Sequence, residues 1–147
     1  MNNEQYPYLT NANKVSFEFV SQGPNGKIKK EVRYIAENEE SFIFNLAFGD
    51  LNDETNELDD FTVSNNGDRD KILATVAATV LEFTQYFPQA FIYAKGSTVA
   101  RTRLYQMAIT QNLKQILDVL YVYGLRKNTW SKFEIEVTYE AFMVLRK

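Results

Sequence analysis

The chain of 147 residues contains no cysteine and no histidine. Without cysteine there is neither a disulfide framework nor a thiol nucleophile. Without histidine there is no Ser-His relay and no imidazole acid or base, and zinc sites built from His or Cys are excluded as well. Any chemistry must rest on Tyr, Lys, Ser, Thr or carboxylates. Proline is limited to three residues and glycine to six, so strong turn signals fall at few places. No run approaches the roughly 20 apolar residues of a membrane span, and Met1 to Pro7 shows neither a basic start nor an apolar stretch. A cytoplasmic protein without membrane contact is the expectation. Excess positive charge is missing too, since 16 Lys and Arg stand against 19 Asp and Glu, a net charge of −3. That balance argues against nucleic acid as a partner and leaves only a local basic patch open.

What is present is apolar and aromatic: 45% hydrophobic residues, with eleven Phe and nine Tyr. This composition predicts an ordered chain with a Phe-rich core, and the length suits a single domain over residues 1–147. Residues 1–13 read as a polar leader and 14–147 as the core. Val15 to Val20 alternates as a strand with one buried face does, Gly23-Pro24-Asn25-Gly26 is a turn, and Ile28, Val32, Tyr34 and Ile35 return, forming an antiparallel hairpin. The nearly all-apolar run from Phe42 to Phe48 predicts a central strand covered on both faces and ending at Gly49-Asp50. The acidic stretch from Asp50 to Asp60 begins like a calcium loop. Thr55 stands where that loop needs Gly and Phe61 where it needs a bidentate Glu, so a solvated connection is expected and no metal site.

A strand at Asp60-Phe61-Thr62-Val63 should open through Ser64-Asn65-Asn66-Gly67-Asp68 into a helix striped by Ile72, Val76, Val80, Phe83 and Phe87. Asn66 or Asp68 can cap this helix, Asp70 complements its dipole and Pro88 stops it. A second unit follows, with a strand over Ala90 to Ala94, a turn at Gly96-Ser97-Thr98, and a helix burying Ala100, Leu104, Met107 and Ala108. Between Gln111 and Tyr121 helical spacing passes into the strand-like Leu120-Tyr121-Val122-Tyr123. Trp130 should begin an exposed connection, with one or two strands over Phe133 to Leu145. The class is α+β, a mixed sheet with two main helices.

This element order is similar to that of the GNAT acyltransferase fold. The runs Asn45-Leu46-Ala47-Phe48-Gly49-Asp50, Ser64 to Asp68, Leu73-Ala74-Thr75-Val76 and Gly96-Ser97-Thr98 through Arg101-Thr102-Arg103-Leu104-Tyr105 look like those of a family of short bacterial proteins of unknown function. The GNAT resemblance implies a loop of the form Gln/Arg-x-x-Gly-x-Gly/Ala whose amides hold the pyrophosphate of coenzyme A, and a Tyr that protonates the departing thiolate. Aligned on Gly67, Ser64 replaces the Gln or Arg, and Arg69 replaces the second small residue. Asp68 adds a carboxylate where a diphosphate would approach. Aligned on Leu104-Tyr105, Thr98 replaces an Asn and Arg101 an Ala.

Two functions follow as expectations, and nucleic-acid binding is a third class that rests only on the small patch of Lys95, Arg101 and Arg103 near Tyr93 and Tyr105. The first is a noncatalytic domain without a cofactor that binds a protein or a small anionic ligand, for instance one partner of a bacterial toxin and antitoxin pair; a homodimer is left open. The alternative is an N-acyltransferase using acetyl-CoA or another acyl-coenzyme A, with Asn66 and Gly67 at the pyrophosphate, Tyr105 as the acid and a carboxylate near Asp59 or Asp60 as the base. For Tyr105 the plain alternative is an aromatic packed at the sheet edge. Cations early in a helix oppose its dipole, so Arg101 and Arg103 need compensation, either from carboxylates such as Asp68 or Asp70 or from an anion held by Arg101, Lys95 and the amides after Gly96, Ser97 and Thr98. The two project about 200° apart. Arg101 is expected to be the ligand contact and Arg103 the structural residue.

Overall fold

A computed structural model describes residues 4–59 and 65–147. In chain order the elements are β1 (Leu9–Thr10), β2 (Ser16–Gly23), β3 (Gly26–Ala36), β4 (Ile43–Asn52), β5 (Glu57–Asp59), α1 (Arg69–Tyr86), β6 (Phe91–Ala94), α2 (Val99–Gln111), α3 (Leu113–Val119), β7 (Leu120–Arg126), β8 (Thr129–Lys132) and β9 (Ala141–Arg146). Nine strands form one mixed sheet in the order β1-β2-β3-β4-β6-β9-β7-β8, with β5 paired to the end of β4. The fold is therefore a single α+β domain. All the described pairings are antiparallel except that of β4 with β6.

One face of the sheet carries the core. Strand alternation sends Phe17 and Phe19, Val32 and Tyr34, Leu46 and Phe48, Ile92, Leu120 and Val122, and Phe142 and Val144 to that side, where all are buried under the helices. Phe83 of α1 is fully buried, with the Tyr34 ring stacked on it at 4.0 Å and Phe44 and Phe87 at 5.1 and 4.9 Å. Three threonines occupy the buried side of α1. Thr75, Thr79 and Thr84 donate their hydroxyls to the carbonyls of Lys71, Val76 and Val80 at 2.7, 2.7 and 2.9 Å, so their burial leaves no orphan donor. The apolar stripe of α1 and the hairpin at Gly23-Gly26 are as the spacing predicts.

Several expectations are corrected. The stretch read as a polar leader is pinned into the fold: Leu9–Thr10 adds a strand, Tyr6 is buried, and the Tyr6 amide bonds the Thr75 hydroxyl at 2.8 Å. Strand β4 runs on to Asn52 and is covered on one face only, Asn45 being exposed on the other. The acidic stretch is partly a β4-β5 hairpin, because backbone pairing is indifferent to charged side chains that point into solvent. Ala100 is exposed and Leu104 and Met107 are half-buried, while α2 buries Arg101, Thr102, Tyr105 and Ile109 beside the expected Ala108. The long helical spacing after Gln111 is broken at Asn112, which separates α3, a third helix, from α2, and Trp130 lies in β8. The strand expected at Asp60 to Val63 lies outside the described residues.

Candidate functional site

The parallel partners β4 and β6 share three registered pairs, from Ile43 with Phe91 to Asn45 with Tyr93. Then β6 ends at Ala94 while β4 continues to Asn52, which opens a wedge at the carboxyl ends of the two strands. Such crevices are where open α/β sheets usually take ligands. Helix α1 begins above this one and α2 beside it, and a cavity of about 100 Å³ lies there, lined by Lys30, Phe48, Asn66, Gly67, Arg101 and Leu104 among others.

Arg101 dominates the wedge. It is 6% exposed, its Nη2 donates to the Phe48 carbonyl at 2.6 Å, and its guanidinium lies 5.6 Å from the Phe48 ring centre. A main-chain acceptor left beyond the end of β6 is thereby satisfied by a side chain. Lys30 approaches the same ring at 5.9 Å and pairs with Asp50 at 2.5 Å. Arg103 is exposed. Arg101 is thus packed into the fold and Arg103 lies on the surface, because the face of α2 that packs inward is the one carrying Arg101, Tyr105 and Ala108.

The loop before α1 is held by the β2-β3 hairpin. Asn66 is buried; its amide donates to the Ser21 hydroxyl and the Gly26 carbonyl, both at 3.0 Å, and its oxygen accepts from the Asn25 amide at 2.7 Å. Gly23 has no room for a side chain, since a Cβ there would fall 1.8 Å from the Asn66 carbonyl oxygen. Asp68 occupies the cap position of α1 but makes no side-chain bond to the helix. Its Oδ2 accepts instead from the Ser21 hydroxyl at 2.6 Å and from the Tyr6 phenol. Burial, reinforced by the Asp68 carboxylate, raises the Tyr6 phenol above its ordinary pKa. A carboxylate therefore already sits at the positive end of α1.

The turn between β6 and α2 is satisfied internally. The Gly96 amide donates to the Thr102 hydroxyl at 3.0 Å, and Thr98 caps α2 by accepting from the Arg101 amide at 3.1 Å. A Cβ on Gly96 would lie 2.4 Å from both Arg101 Cβ and Thr102 N, so the turn closes tightly on the helix. Lys95 and Ser97 are exposed. The structure brings Asn66, Gly67 and Arg101 to one cavity, whereas Lys95, Gly96, Ser97 and Thr98 stay in the neighbouring turn. Tyr105 is 8% exposed and lines a separate apolar cavity of about 50 Å³ with Leu46, Val76 and Ala108. Asp59 is exposed on β5, and Asp60 lies outside the described residues. No group of three carboxylates that could hold a metal occurs among the described residues.

Sequence reasoning missed the polar knot of Tyr6, Ser21 and Asp68, for which the alternation Tyr6-x-Tyr8 was the available sign. It also missed that one sheet face is left open. No helix among the described residues is long and apolar enough to cross a membrane.

The wedge, the loop before α1 and the mixed sheet define an α+β domain with a small crevice at the ends of β4 and β6. Compared with known proteins, the chain matches, over residues 2–147, a family described as a family of unknown function, DUF6934, and it belongs to that family. No curated protein and no solved structure matches it.

Proposed function

We propose that this chain is a noncatalytic cytoplasmic domain, working without a cofactor, that binds a protein partner or a small anionic ligand. The observation that carries this reading is the position of Arg101. Its guanidinium is buried against Phe48 and bonded to the Phe48 carbonyl, so it narrows the crevice through which a long cofactor would have to pass to a cavity of about 100 Å³. The environment of Asp68 points the same way. A diphosphate approaching the α1 amides would meet a half-buried carboxylate that Tyr6 and Ser21 hold in place, and like charge at close range is repulsive. Tyr105, the expected acid, lies in an apolar cavity away from that loop. Bacterial pairing with a second small protein, as toxin with antitoxin, is the setting this reading favours.

The reading is tested by native mass spectrometry of the protein purified from its source. A co-purifying protein or small anion at fixed stoichiometry is expected. Co-purification of coenzyme A or an acyl-coenzyme A would overturn it.

A second reading, an acyl-coenzyme A-dependent N-acyltransferase of GNAT type, draws on one observation: the parallel β4-β6 pair separates after Asn45 and Tyr93, directly below the α1 N-terminus. On that reading Gly67 and its neighbours hold the pyrophosphate, and Tyr105 must become accessible to a thiolate.

A further inference from the structure

The sheet face opposite the helices is uncovered among the described residues, and its β6-β9-β7-β8 half has a distinct chemistry. Register aligns Phe91 with Leu145 and Tyr121, and Tyr93 with Met143 and Tyr123, so two rows of aromatic, aliphatic, aromatic side chains cross three strands. From the edge strand β8 the Trp130 ring reaches the Tyr93 ring edge-on, with centroids 6.2 Å apart. Phe91, Tyr121 and Trp130 are 40, 43 and 41% exposed. Single exposed apolar residues need no explanation, but a contiguous set of rings on one face marks a binding surface.

Charge says what kind of partner it suits. The chain has 19 Asp and Glu, yet β6 (FIYA), β7 (LYVYGLR), β8 (TWSK) and β9 (AFMVLR) contain none. Lysines flank the rings: Lys132 is the register partner of Tyr123, exposed Lys95 follows β6 at the alternation of Phe91 and Tyr93, and the Lys147 ammonium lies 5.5 Å from the Tyr121 ring centre. An acidic protein has thus set aside an aromatic, cationic half-sheet. A second copy fits this face poorly, because an isologous contact would set the lysine-ringed patch against itself. An acidic peptide answers the lysines but leaves the rings without planar partners. A strand of unpaired nucleotides answers both, since bases stack on aromatic side chains while phosphates meet cations.

We infer that this open half-sheet binds single-stranded nucleic acid, with bases stacked on Tyr93, Tyr121 and Trp130 and phosphates held by Lys95 and Lys132. The low net charge limits duplex or nonspecific binding, and the local patch supplies the attraction. The site is on the opposite side of the sheet from the Arg101 wedge and stands or falls independently of it.

Trp130 is the single tryptophan of the chain, so its fluorescence reports directly on this face. The experiment titrates the full chain with oligothymidylate and oligouridylate of about 16 nucleotides, the upper site size of comparable platforms. Heparin and a DNA duplex serve as polyanion controls. Saturable quenching by the single strands is expected, with log K falling against log salt at a slope of about −1.4 if the two phosphates at Lys95 and Lys132 are neutralised. Tyr121→Ala should weaken binding about fivefold or more, and the Lys95→Glu, Lys132→Glu double variant should weaken it at least about tenfold with a shallower slope. Thermal melts of both variants should match the wild type. Absence of quenching at about 100 μM oligonucleotide, the weak end of the usual nonspecific range, would overturn the inference. Equal quenching by heparin would overturn it too, as would a dimer, seen by sedimentation, that Tyr121→Glu dissociates; the last result would assign the face to a second copy.

Discussion

Replacing Arg101 by alanine should cost far more than the place of a cation in the first turn of a helix suggests. The side chain is 6% exposed and donates a charged hydrogen bond of 2.6 Å to the Phe48 carbonyl. A hydrogen bond to a charged group contributes about 1.5–3 kcal/mol. The guanidinium also lies over the Phe48 ring, which adds about 0.5–2 kcal/mol in a desolvated site, and its methylene stem packs in the wedge. These contributions overlap, so the expected loss is about 3 kcal/mol, within the range for breaking a buried polar network. Urea denaturation followed by circular dichroism would measure it, and a fall in midpoint at unchanged slope would mark lost stability and not a changed denatured state. For a chain of this size the melting temperature should drop by roughly 6–12 °C. Arg103→Ala is the control, since Arg103 is exposed and its loss should stay within about 0.5 kcal/mol. Arg101→Lys should fall between them, because one ammonium cannot reproduce the planar fork over the ring. If Arg101→Ala and Arg103→Ala melt together, the guanidinium is not packed in the wedge and the reasoning fails.

Val76→Asp should prevent folding, because Val76 is 3% exposed beneath the sheet, and an unpaired carboxylate there costs several kcal/mol; Glu57→Ala, on an exposed edge strand, should change the melt by less than about 0.5 kcal/mol. Circular dichroism and expression in soluble form decide between these outcomes. Alkaline pH should destabilise the fold. Burial raises the phenols of Tyr34 and Tyr8, with a further contribution at Tyr8 from the bonded Glu82 carboxylate, and Tyr6 is raised by burial and Asp68. Their protonated forms are therefore favoured in the folded state. The stabilisation is complete below the ordinary phenol pKa of about 10 and is lost as pH rises beyond it, since the unfolded chain releases protons that the folded chain retains. Urea midpoints should be level up to about pH 9 and fall steadily above it; Tyr34→Phe should make that fall shallower, and an unchanged slope would contradict the assignment. Gly23→Ala should lower stability by roughly 1–3 kcal/mol through its clash with the Asn66 carbonyl, whereas an equally stable variant would show that the hairpin and the loop before α1 are not in contact.

The elements with strong local rules were legible in the sequence. The Gly23-Pro24-Asn25-Gly26 turn and the stripe from Ile72 to Phe83 each follow from spacing alone, and so did the succession of strands and helices that defines an α+β domain. Long-range pairing was not legible. The alternation Tyr6-x-Tyr8 alone does not tell what Tyr6 packs against, because its partners Gln22, Asp68 and Thr75 are far along the chain. The wedge shows the same limit. Arg101 is expected from the sequence to contact a ligand because a cation early in a helix needs compensation, yet the acceptor it satisfies belongs to Phe48, fifty-three residues away. Alternation within a strand puts Phe91 with Tyr93 and Tyr121 with Tyr123 on common faces. Only the strand order, which inserts β9 between β6 and β7, makes one surface of them.

The measurement that bears most directly on the account is a calorimetric titration of the wild-type chain with acetyl-coenzyme A, run beside Arg103→Ala. A wedge narrowed by Arg101 and a helix terminus already occupied by Asp68 predict no heat attributable to a site in either protein. A dissociation constant in the low micromolar range, about −8 kcal/mol, would contradict the central claim and establish the crevice between β4 and β6 as a cofactor site.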